Sequence, residues 1–207
     1  MAQQLILAKG YEQMSVQDVL DELEVSRGAL YHYFDSKAAL LDGVLQRMVD
    51  AGMAAVAPVV SAPDLSACEK LTHLFAGLQQ WKAERRDLVL ELLRVWYSDD
   101  NALVRDKLRQ GVPTYLAPML DAIIAQGRAE SVFAPGAPDT GRVMVGLLLS
   151  AQDLAGELYL ARQAGTIPFE TVAGSFAAYQ EAIERILGVR AGSLPLVDEA
   201  TLRLWFG

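Results

Sequence analysis

The chain has 207 residues, 52% of them hydrophobic and 21% charged, which is enough apolar material for a sizeable core and argues against wholesale disorder. Its net charge of −8 argues against non-specific polyanion binding as the main activity, but leaves room for a small local basic surface. A single cysteine, Cys68, excludes an intramolecular disulfide and a cysteine-based metal cluster. The start shows no basic segment with an apolar run and cleavage site, and no uninterrupted apolar stretch reaches about 18 residues. A soluble, cytoplasmic protein is the expectation.

Residues 2–9 form a short helix with Leu5 and Ile6 inward, stopped by Gly10. A second helix runs over 15–23. Ser15 is its N-cap, and Asp18, three residues on, completes an approximate capping box. Met14 and Val19 sit at hydrophobic-staple positions, and Val16, Val19, Leu20 and Leu23 share one apolar face. The next start signal comes at once. Ser26 caps a third helix, from Arg27 to near Phe34, with Leu30 and Phe34 on the inward face. Arg27, Gly28, Tyr31 and His32 then point elsewhere, with Tyr33 on the flank. Asp35 or Ser36 caps a longer helix striped by Leu40, Leu41, Val44, Leu45 and Met48. Two short helices, a tight turn and an exposed polar-aromatic face make a helix-turn-helix.

From Ala51 the composition turns to Ala, Val and Pro, with Pro58 and Pro63 as breakers, and the domain boundary is placed here. The reading is a helix-turn-helix domain over 1–50 and a larger helical domain over 51–207. Further helices are expected at 64–82, 85–98, 100–128, 138–164 and 168–188, with a terminal turn at 197–205. Asp64 and Pro168 serve as start signals, and 136–139 is a connector. Pro113 and Pro118 should kink or split the third of these. The fold class is all-α, as no alternating strand pattern or internal repeat occurs.

Within residues 14–45, MSVQDVLDEL followed by VSRGALYHYFDSKAALL resembles the TetR family of one-component transcriptional regulators. The pieces that carry the likeness are the serine-capped second helix, the V-S-x-G-x-L-Y-x-Y-F run and the S-K-x-x-L-L opening of the next helix. The resemblance implies an all-helical homodimer with a three-helix DNA-binding domain. It also implies a larger part holding a small-molecule site, and release of a palindromic DNA operator when an effector binds. It places Ser15, Val16, Gln17, Ser26, Arg27, Gly28, Ala29, Tyr31, His32, Tyr33 and Lys37 at DNA-contact positions. The chemistry is compatible. The Ser15–Gln17 amides open a helix, suited to a phosphate oxygen. Arginine to guanine is the commonest specific base contact, which suits Arg27. Gly28 lets the backbone approach the groove. Tyr31, His32 and Tyr33 donate to phosphates or pack on thymine methyls, and Lys37 reaches a phosphate.

Two departures from the family pattern stand out. Members usually carry a longer, often basic lead-in than the nine residues before Gly10 here, and the first fifty residues hold Lys9, Arg27, Lys37 and Arg47 against eight acids. Unspecific affinity for DNA is therefore expected to be weak and salt-sensitive. Where the family turn commonly has glycine this chain has Glu24, at a cost of about 1 kcal/mol if left-handed.

In the second domain, Trp81, Trp96, Tyr97, Tyr115, Met119, Met144, Gln152, Glu157 and Phe176, with Tyr159 and Tyr179, are candidate lining for an apolar or amphipathic effector. Taken singly, each is more simply read as core. Small residues along 138–164 (Gly141, Gly146, Ala151, Ala155, Gly156) and 168–188 (Ala173, Gly174, Ala177, Ala178) mark these helices as the candidate homodimer interface. The alternative reading is a helical small-molecule sensor or interaction protein with weakened DNA binding. An enzyme finds little support: there are two histidines, His32 and His73, and no nucleophile elbow, phosphate loop or dinucleotide fingerprint. Neither a cofactor nor a metal is expected.

Overall fold

The computed structural model describes residues 2–23, 36–96 and 102–207, without the side chains at 2, 23, 94–96, 103 and 108. Among the described residues the regular structure is helical throughout. The elements are α1 (Ala2–Lys9), α2 (Val16–Leu23), α3 (Lys37–Ser61), α4 (Ala67–Ala83), α5 (Arg86–Trp96), α6 (Ala102–Ala129), α7 (Thr140–Gln163), α8 (Phe169–Leu187) and α9 (Glu199–Phe206). The all-α class is as expected. The third helix of the sequence reading, Arg27 to Phe34, lies outside the described residues.

Chain contacts define two compact units. One holds Met1–Gly52 with Lys82–Gly111, the other Met53–Trp81 with Val112–Gly207. Residues 82–111 belong to the first unit together with the N-terminal segment. The reason is burial. Leu5 and Ile6 of α1, Val19 and Leu20 of α2, and the Leu40–Leu45 stripe of α3 share a core with Leu88 and Leu92 of α5 and Val104 of α6. About fifty residues alone bury too small a fraction of their surface to be comfortably stable.

In the second unit the main core joins Leu71 and Leu74 of α4, Leu120 and Ile123 of α6, Met144 and Val145 of α7, and Ile183 and Leu187 of α8. A smaller core sits where α9 meets α7 and α8, around Leu158, Val172, Leu202 and Phe206. The expected terminal turn is in fact the helix α9, opened by Asp198, whose Oδ1 accepts from the Thr201 amide at 2.7 Å. Gly141 fits α7 closely onto α6: its amide donates to Asp121 Oδ1 at 2.8 Å. Behind the end of α8, the buried Glu184 carboxylate accepts from the amides of Gly192 (2.8 Å) and Leu194 (2.9 Å) and from the Gln180 side chain (3.1 Å). Burial pushes this carboxyl up, but the donors together outweigh it and hold it below the ordinary range.

Three local expectations change. Pro58 does not end α3, which continues to Ser61; Pro58 and Ala54 are exposed, so the carbonyl that loses its partner faces water. Pro113 and Pro118 do not split α6, which runs on through both. The cap of α4 is Ser66 rather than Asp64: Glu69 Oε2 accepts from the Ser66 amide at 2.9 Å, and the Glu69 amide donates back to Ser66 Oγ at 3.4 Å.

Candidate nucleic-acid interface

The described part of the site is built on the turn between α1 and α2 and on the first residue of α3. Gly10 closes α1 with a positive φ of 78°, and its amide donates to Ile6 O at 2.9 Å. The capping box then forms as read from the sequence. Asp18 Oδ2 accepts from the Ser15 amide at 2.7 Å and the Ser15 hydroxyl at 2.8 Å, while the Asp18 amide donates to Ser15 Oγ at 3.1 Å. Lys9 adds an ammonium 2.6 Å from Asp18 Oδ1. The Lys9 bond first, and then the Ser15 donors, hold the Asp18 carboxyl well below its usual value. Met14 and Val19, the staple pair, are both buried.

This assigns work to the polar groups around the second helix. The Ser15 hydroxyl gives its one proton to Asp18, so its contribution is the cap. Val16 is half-buried and Gln17 exposed, and the Gln17 side chain donates to Asp21 Oδ1 at 2.7 Å. The amides of Val16 and Gln17 belong to the first helical turn, the end of a helix that favours anions.

Lys37, the first residue of α3, follows the cap at Ser36, whose Oγ accepts from the Ala39 amide at 3.0 Å. The Lys37 ammonium donates to Glu12 O at 2.9 Å and lies 4.5 Å above the Tyr11 ring centroid. The Tyr11 hydroxyl donates back to Lys37 O at 3.3 Å, and the Tyr11 amide donates to Glu91 Oε1, on α5, at 3.2 Å. Tyr11, Glu12 and Glu91 did not figure in the sequence reading. An aromatic directly after a helix-stopping glycine was a usable signal for Tyr11; no local pattern pointed to Glu91.

Of the remaining expected DNA contacts, Ser26, Arg27, Gly28, Ala29, Tyr31, His32 and Tyr33 lie outside the described residues. The candidate effector residues fall into distinct surroundings. Met144 is fully buried in the main core of the second unit. Phe176 and Tyr159 pack on the smaller core, with the Phe176 ring 5.8 Å from that of Phe206. Trp81 and Met119 are half-buried, and Tyr115, Gln152 and Glu157 are exposed. Tyr97 and the Trp96 side chain lie outside the described residues.

Residues 1–44 match the family of bacterial regulatory proteins of the tetR type. The N-terminal segment is TetR-type. The capping box, the staple and the Lys37 position all lie in this matched segment. The fold extends the likeness beyond it. A candidate tetR family transcription regulator from Shewanella sp. PV-4 is 22% identical, with 87% of this chain and 93% of that one covered at a TM-score of 0.52. A candidate fatty acid metabolism regulator from Clostridium perfringens is 16% identical, with coverages of 90% and 94% and a TM-score of 0.55. At such identities the likeness is one of fold. No curated protein matches the chain by sequence.

Proposed function

We propose that this TetR-type chain is a ligand-responsive repressor. It binds a palindromic operator as a homodimer and releases it when a small apolar or amphipathic effector binds. The observation that carries the reading is the TetR-type match over 1–44 in a chain whose remaining described residues are mostly helical. The bases are read from Arg27, Gly28 and Tyr31 to Tyr33, and phosphates are held from the start of α2 and from Lys37. No catalytic step and no cofactor enter this reading, and its setting is the cytoplasm, where operator DNA lies.

The homodimer is assigned to α7 and α8. α7 is apolar and long enough to pass for a membrane span by length and composition alone, yet only 22% of its most apolar window is buried. Val143 and Leu160 stand 57% and 45% exposed on it. Open space faces Gly146 of α7 and Gly174 of α8. Apolar helices with small residues and open faces suit close packing against a second copy. Gly141, by contrast, already packs against α6 of its own chain.

The direct test is a gel shift with the DNA upstream of the chain's own coding sequence. A retarded band on a palindromic element, lost in Arg27→Ala, is expected. Absence of any shift on that DNA would favour the alternative, a helical sensor with weakened DNA binding, which the four basic residues against eight acids in the first fifty also suit.

A further inference from the structure

The Lys37 ammonium is not a free surface charge. Glu12 O takes one of its three N–H donors at 2.9 Å, and the Tyr11 ring lies 4.5 Å beneath it. The ring is itself pinned. Tyr11 is buried, its hydroxyl holds Lys37 O at 3.3 Å, and its amide is held by Glu91 Oε1 at 3.2 Å. Gly10, with its positive φ, lets the carboxylate in: a Cβ there would lie 3.0 Å from Glu91 Oε1. The chain of contacts thus runs from α5 through the α1–α2 turn to the first residue of α3.

We infer that Tyr11 and Glu91 are positioning residues for Lys37. They hold its ammonium where a DNA phosphate meets it, so the phosphate contact depends on α5 as well as on the helix-turn-helix. The inference rests on the proposed reading of Lys37 as a phosphate contact. The physical gain is preorganisation. A lysine already tethered by a carbonyl and an aromatic face has less rotamer freedom to lose when the phosphate arrives. Glu91 touches no nucleic acid in this account; it acts through the turn.

The test uses the full chain and a fluorescently labelled mixed-sequence duplex, with affinity measured against salt. Lys37→Ala is expected to lower the slope of log affinity against log salt by about one. Tyr11→Leu removes the aromatic face and is expected to do the same. Glu91→Ala should lower the slope by about half of the drop seen in Lys37→Ala or more, up to that drop itself. Added to Lys37→Ala, Glu91→Ala should lower the slope no further. Glu91→Gln, whose side-chain carbonyl still accepts the Tyr11 amide, should restore the wild-type slope, and Tyr11→Phe should keep it. If Lys37→Ala lowers the slope while Glu91→Ala and Tyr11→Leu leave it untouched, the positioning role is overturned and the phosphate contact stands. If Lys37→Ala leaves the slope untouched, the phosphate reading falls and takes the inference with it. A second readout needs no DNA. The Lys37 Hε protons above the ring should resonate upfield in the wild type and Glu91→Gln, and return to ordinary positions in Glu91→Ala. An unchanged shift in a folded Glu91→Ala protein overturns the inference whatever the duplex shows.

Discussion

Gly141 rests on Asp121: its amide donates to Asp121 Oδ1 at 2.8 Å, and a Cβ at residue 141 would lie 2.5 Å from that oxygen and 2.8 Å from Ala117 O. The second contact is with backbone, which cannot swing aside. Gly141→Ala therefore forces α7 away from α6 and is expected to destabilise the fold by about 1–3 kcal/mol. Gly111→Ala is the control. Among the described residues its Cβ would meet Gln46 Oε1 alone, at 3.9 Å. Replacing a mid-helix glycine with space around it should stabilise by about 0.5–1 kcal/mol. Urea melts of the two variants should move in opposite directions; parallel shifts would show that the α6–α7 contact is not the constraint described.

The start of α2 is expected to carry a pH signature. The Asp18 carboxyl is held below its ordinary 3.8 by the Lys9 ammonium first, and then by the Ser15 amide and hydroxyl. A carboxylate depressed in the folded state adds stability that is present above its unfolded value. That stability is lost as pH falls through the folded value. The stability gap between the wild type and Asp18→Ala should be constant from neutral pH down to about pH 5, then narrow steadily below about pH 4. Thermal midpoints of both proteins across that range check it. A gap that kept its size down to about pH 2 would mean that the charge on Asp18 contributes nothing.

What could be read from the sequence divides by range. Leu5 and Ile6 inward, Gly10 as stop and the Ser15–Asp18 box are all settled within a few residues, where capping chemistry and helical spacing speak directly. The same local logic misjudged Asp64, because Ser66 with Glu69 offers the reciprocal box that Asp64 lacks. It misjudged Pro58, because an exposed carbonyl tolerates the loss of its partner. Glu91 was beyond reach: its partner Tyr11 lies eighty residues away, and nothing in the composition of α5 sets it apart from Asp87, the other acid of that helix. Gly141 shows the limit in another form. It was read with Gly146 as one small-residue stripe, yet one glycine fits α7 onto α6 and the other faces open space. Only the packing distinguishes them.

Glu184 is the clearest case of a charge kept for architecture. Its carboxylate accepts from Gly192, Leu194 and Gln180 and ties the 188–194 turn to the end of α8. Beside it, Gly188 ends the helix with a φ of 68° and a Cβ there would lie 2.4 Å from Ala134 Cβ. Glu184→Ala orphans two amides, each at about 1–3 kcal/mol. Glu184→Gln keeps one good acceptor and should cost about half as much. Amide hydrogen exchange at Gly192 and Leu194 should accelerate strongly in the alanine variant. Exchange as slow as in the wild type would show that another group holds this turn.

The proposed homodimer makes the final prediction. Val143, Gly146, Ser150, Glu157 and Leu160 recur at helical spacing along one face of α7. Val143 and Leu160, near its two ends, are 57% and 45% exposed in the single chain. In an isolated chain, glutamates at these positions point to water and should change stability by no more than about 0.5 kcal/mol. In a dimer closed over this face, the same glutamates are desolvated without partners, which is strongly unfavourable. The double variant Val143→Glu with Leu160→Glu is therefore expected to halve the mass measured by light scattering while keeping the helical spectrum. Affinity for a palindromic operator should fall together with the mass, because a monomer engages one half-site only. A variant that keeps the wild-type mass would remove α7 from the interface, and a wild type that is itself monomeric would remove the interface altogether.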